Sequence, residues 1–138
     1  MADGGVAEFA SALDFASTLE ALTGAIERAG LTVFARIDHA AGARQVGLDM
    51  PPTVVIFYGH ARGGTPIMQA HPQAALDLPL RVLVRQGQDG VVVIAFHPIA
   101  ELLRAAGVPA ELAGRLAPAQ QLLIDAFEPR ADKNGSIS

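Results

Sequence analysis

Cysteine is absent from this chain, and with it go disulfides, thiolate metal sites and thiol nucleophiles. Nothing in the residue content ties the protein to an oxidising compartment. Aromatic residues are scarce: there is no tryptophan, and one tyrosine and six phenylalanines make up 5% of 138 residues. A chain that is still 51% hydrophobic must build its core from Ala, Val, Leu and Ile. Lysine is nearly missing, Lys133 standing alone among nine arginines, so Schiff-base chemistry and a phosphate-loop lysine have no candidate in the folded part. Net positive charge is lacking too. At −4 the chain has no excess of cations with which to displace counterions, and no nucleic-acid partner is expected.

Long apolar runs are also missing. The longest, Val91 to Phe96, is far too short to span a bilayer, and the segment beginning Met1-Ala-Asp-Gly-Gly has no basic stretch leading into an apolar one. These absences lead to the expectation of a cytoplasmic protein with no membrane partner. Length and composition predict one domain over residues 1–128 and a disordered polar tail over 129–138, and the element order strand, helix, several strands, helices makes that domain α+β.

Several elements can be read along the chain. Val6 to Ser11 reads as a first strand. Asp14 is placed to cap a helix whose Phe15, Leu19, Leu22 and Ile26 share one face; Gly30 ends it, although Ser17 and Glu20 would also suit a capping box one turn later. Leu31 to Ile37 reads as a strand with Leu31, Val33, Ala35 and Ile37 on one face and Phe34 and Arg36 on the other. Asp38 then caps a short helix over His39 to Val46. Thr53 to Tyr58 is apolar without alternation, as expected of a strand covered by helix on one face and by a partner on the other. Gly59 to Gly64 read as a turn into a helix that begins with Thr65 as cap and Pro66 in its first turn. Arg81 and Arg85 alternate with Leu80, Val82 and Val84 on a half-exposed edge, and Asp89-Gly90 predicts a hairpin into Val91–Phe96. Helical patterns fill the rest, to Phe127.

Two constellations carry possible chemistry. In the first, the amides of the Gly59–Gly64 turn and Arg62 form a seat for a small anion. A nucleotide loop does not fit, because Thr65 stands where lysine is required and Pro66 where a hydroxyl should hold magnesium. In the second, His39 and His60 each follow a strand, and Asp38 adjoins His39, an arrangement suited to general base catalysis. Asp38, His39, His60 and His71 lack the spacing of a metal-binding pair, so no metal and no cofactor are expected. No serine lies in a nucleophile elbow. Met68 reads as core. The expected site is therefore Asp38, His39, Gly59, His60, Arg62, Gly64 and Thr65 around a small anionic ligand. An enzyme using Asp38 and His39, or a protein-interaction module, are the alternatives.

The blocks Gly30-Leu-Thr-Val-Phe-Ala-Arg-Ile-Asp-His-Ala-Ala-Gly-Ala43, Pro51-Pro-Thr, Gly64-Thr-Pro-Ile-Met68 and Ala75-Leu-Asp-Leu-Pro-Leu-Arg-Val-Leu-Val84 resemble the bacterial and archaeal family known as domain of unknown function 302. The resemblance implies a two-layer β-α-β4-α domain, similar to half of the TATA-binding-protein architecture, with extra C-terminal helices and a homodimeric state. Members of that family tend to carry Gly-Asn-Pro where this chain has Gly59-His60-Ala61, which makes any role of His60 particular to this protein.

Overall fold

The computed structural model describes residues 5–127, so the predicted disordered tail lies outside the described residues. Five strands form one sheet: β1 (Ala7–Ser11), β2 (Thr32–Asp38), β3 (Thr53–Gly59), β4 (Leu80–Gln86) and β5 (Val92–Phe96). Their order is β1-β5-β4-β3-β2, and every neighbouring pair is antiparallel. The helices are α1 (Phe15–Arg28), α2 (His39–Gln45), α3 (Ala61–Ala70), α4 (Ile99–Ala105), α5 (Ala110–Ala113) and α6 (Ala117–Phe127), with 3-10 turns at Pro72–Asp77 and Gly114–Leu116. The expected α+β fold is present. Among the described residues no helix is long and apolar enough to cross a membrane.

Local chemistry accounts for most element boundaries. Asp14 Oδ1 accepts from the Ser17 amide at 2.7 Å, so α1 starts at the earlier of the two positions the sequence allowed. That bond holds the Asp14 carboxyl below its ordinary range. Gly30, at φ +82°, closes the helix in the left-handed region. Leu22 and Ile26 of α1 are fully buried against the helix-facing side of the sheet, where Val54, Ile56, Val82, Val84 and Ile94 form the aliphatic core. In β3 these buried residues alternate with half-buried Val55 and Phe57, so among the described residues only one face is fully covered.

Two strand expectations are corrected. A register shift between Val33 and Ala35 makes a bulge at Phe34, so Val33 faces the helices while Ala35 and Ile37 lie on the opposite face. β4 is a central strand, not an edge, because β3 and β5 flank it. Its arginines are engaged on the open face: the Arg81 guanidinium lies 5.0 Å from the Phe57 ring centroid, and Arg85 pairs with Glu8 at 3.1 Å.

Candidate functional site

An apolar cavity sits at one end of the sheet. Its inner wall is Tyr58 and Gly59 at the end of β3 with Leu80 at the start of β4, which pairs with Tyr58. The β2 bulge brings in Phe34, more than half exposed at 53%, across from Gly59. Gly64 and Met68 of α3, the Leu78-Pro79 segment and Leu116 complete a volume of about 400 Å³. The lining is almost wholly apolar, and the Tyr58 hydroxyl is not free, since it donates to the Ala119 carbonyl at 2.9 Å. Burial pushes the Tyr58 phenol well above its ordinary pKa of 10.0. Met68, expected in the core, lines this cavity.

Helix α3 begins five residues earlier than expected. His60, not Thr65, is its cap: Nδ1 accepts from the Arg62 amide at 2.9 Å, leaving Nε2 to carry the proton of the neutral ring. Gly63 and Gly64, expected in a turn, lie inside the helix, and their amides donate to the His60 carbonyl at 3.0 and 3.2 Å. Three of the first four helical amides are thus already engaged, which leaves at most that of Ala61 for an anion. Gly63 serves packing instead. A Cβ on Gly63 would stand 3.1 Å from Leu116 Cδ2, and one on Gly64 would meet Leu78 and Met68 at 3.6 and 3.8 Å.

Beside the cavity runs an open groove of about 540 Å³ that holds Arg62, Gly63 and Arg115, flanked by Leu31, Pro118 and Leu122. His60 and Leu116 line both spaces. Among the described residues the ion pair is Arg85 with Glu8, so neither groove guanidinium is neutralised by a carboxylate.

His39 lies elsewhere. Asp38 pairs with Val54 at the start of β3, whereas His60 follows Gly59 at its end. Five residues of strand separate those positions, about 17 Å at the usual rise. The expected single site therefore divides: Gly59, His60, Gly64 and Thr65 line the cavity, Arg62 lines the groove, and Asp38 and His39 sit at the far end of the sheet. Asp38 Oδ1 accepts from the Ala41 amide at 2.9 Å as the cap of α2, so it serves the helix and does not orient His39. Among the described residues no three His, Asp or Glu side chains gather to hold a metal. Phe34, Leu78, Leu116 and Arg115, which complete the two spaces, carried no sequence signal of a site: they come from separate segments and resemble ordinary core or surface positions.

The chain is 38% identical over 90 residues to proteins named fluoride-specific ion channel FluC 1 of Brucella suis and of Brucella abortus. The match covers 65% of this chain but only 35% and 33% of theirs, so it spans about a third of the length of these curated relatives. A crystal structure of a conserved protein of the 302 family from Bacillus stearothermophilus superposes with a TM-score of 0.83 at 16% identity, covering 91% of this chain and all of that one. At that identity the likeness concerns the fold. The family model for the domain of unknown function 302 matches residues 7–128, from β1 through α6, and the chain belongs to that family.

Proposed function

We propose that this protein is a small-molecule-binding domain, that its site is the cavity between the β2 bulge and α3, and that it acts in the cytoplasm as a homodimer. One observation carries the ligand reading: a space of about 400 Å³, within the range of small-ligand pockets, stays open in a chain with aliphatic residues enough to fill it. Gly64 keeps it open, since any side chain there would grow towards Leu78 and Met68. The test is binding of decanol, followed by amide chemical shifts. Wild-type protein is expected to show saturable shifts at Gly59, Gly64 and Leu80, and Gly64→Leu to lose them while keeping its fold. Saturable binding by Gly64→Leu at wild-type strength would place the ligand elsewhere.

The Brucella proteins favour a second reading. There a segment similar to this chain shares a polypeptide named as a fluoride channel. This domain would then act beside a membrane transport protein, its ligand state biasing that partner. Co-purification of a fluoride channel with the tagged domain from the same cells supports this reading, and its failure under conditions that preserve the dimer counts against it.

A further inference from the structure

We propose that the cavity and the arginine groove are one bipartite site, and that its ligand is an amphipathic anion: an aliphatic chain ending in an oxyanion, carboxylate or phosphate. The inference rests on the cavity being a ligand site and adds the chemistry of what fills it.

Adjacency is the first argument. His60 and Leu116 belong to both linings, so the apolar space and the groove lie side by side. Charge is the second. Acidic residues outnumber basic ones by 14 to 10 in this chain, yet neither lining contains an Asp or Glu. The groove instead presents Arg62 and Arg115, on different elements, neither of them in an ion pair among the described residues. Two unneutralised guanidinium groups beside an apolar hole match a molecule with one charged end and one greasy end. A purely polar anion leaves the cavity unfilled, and a purely apolar ligand leaves the guanidinium groups unused. The remaining polar residues suit the same head: His60 Nε2–H is a donor, because Nδ1 is committed to the Arg62 amide, and Thr65 is among the residues that line the cavity.

Titration calorimetry with decanoate, decyl phosphate, decanol and inorganic phosphate tests the proposal. Decanoate or decyl phosphate is expected to bind at least tenfold more tightly than decanol, with inorganic phosphate weaker than either. Which of the two binds better identifies the head group. Arg62→Gln with Arg115→Gln is expected to lower the affinity of the preferred anion tenfold or more and to leave that of decanol within about twofold. Both arginines are exposed, so thermal unfolding of the double variant should match wild type. Decanol binding as tightly as the anions, or anion binding indifferent to the double substitution, overturns this inference while leaving the cavity reading intact. Phosphate alone binding as well as decyl phosphate overturns the bipartite site. No binding of any aliphatic probe sinks both readings together.

Discussion

The two adjacent glycines of α3 show how much one hydrogen atom can decide. Both sit inside a helix, where alanine is preferred by about 1 kcal/mol. At Gly64 an added Cβ would make ordinary van der Waals contacts, whereas at Gly63 it would press on Leu116 at 3.1 Å. Gly64→Ala is therefore expected to stabilise by about 0.5–1 kcal/mol, and Gly63→Ala to gain less or to lose, as measured by denaturant midpoints. The reverse order would mean that α3 does not pack on Leu116 as described. Tyr58, the single tyrosine, gives a second prediction. Its phenol is raised by burial, so the unfolded chain loses that proton first as pH climbs past 10.0. Stability from this group is complete below pH 10.0 and is lost at more alkaline pH. Tyrosinate absorbance should accordingly appear together with unfolding. If it appears in the folded protein near the ordinary pKa, the ring is not buried. Tyr58→Phe should remove that alkaline limb and, by deleting the bond to the Ala119 carbonyl, cost about 1 kcal/mol at neutral pH.

At the scale of elements, the predictions that held rest on local bonds. Asp14 and Asp38 each cap the helix that follows them, and Asp89-Gly90 makes its hairpin, with Asp89 Oδ1 accepting from the Val91 amide at 2.9 Å. The start of α3 is hidden in the sequence because Thr65-Pro66 is a strong local start signal, while a histidine cap with two glycines in the first turn is a weak one. Burial of Ile67 and the packing of Gly63 on Leu116 draw the helix back to Ala61. Gln120 of α6 is another tertiary device. Its side chain accepts from the Ile99 amide at 2.8 Å and donates to the His97 carbonyl at 3.0 Å, tying the end of β5 and the start of α4 to the last helix. Gln120 is buried, so Gln120→Ala strands a buried amide and is expected to cost about 2 kcal/mol or more in chemical denaturation. A loss below 0.5 kcal/mol would show that water replaces the side chain there.

At the scale of the whole molecule, one face of the sheet lies beneath helices and, among the described residues, the other is left open. Ile37, Val55, Leu83 and Ala95 are register partners across β2, β3, β4 and β5, forming an apolar row on the open face beside the Phe57–Arg81 contact. That row is the proposed dimer surface: β3 is apolar on both sides, and among the described residues only one of them is fully buried. Sedimentation at micromolar concentration is expected to give a dimer for wild type and a folded monomer for Leu83→Asp. A wild-type monomer at that concentration would remove the dimer from the proposal.

The sequence by itself determined the class of fold, the aliphatic core and most helix and strand positions. These follow from periodicity, caps and turn residues, which act over a few neighbours along the chain. It also marked Gly59, His60, Gly64 and Thr65 as part of a special region. Only the tertiary structure decided that His39 lies about 17 Å from this region, because strand direction and register set that separation. Only packing of distant segments set Phe34 beside Gly59 and Leu116 against Gly63 and left a cavity at this end of the sheet. Which atoms enclose a space is a property of long-range contacts, and no local pattern encodes it.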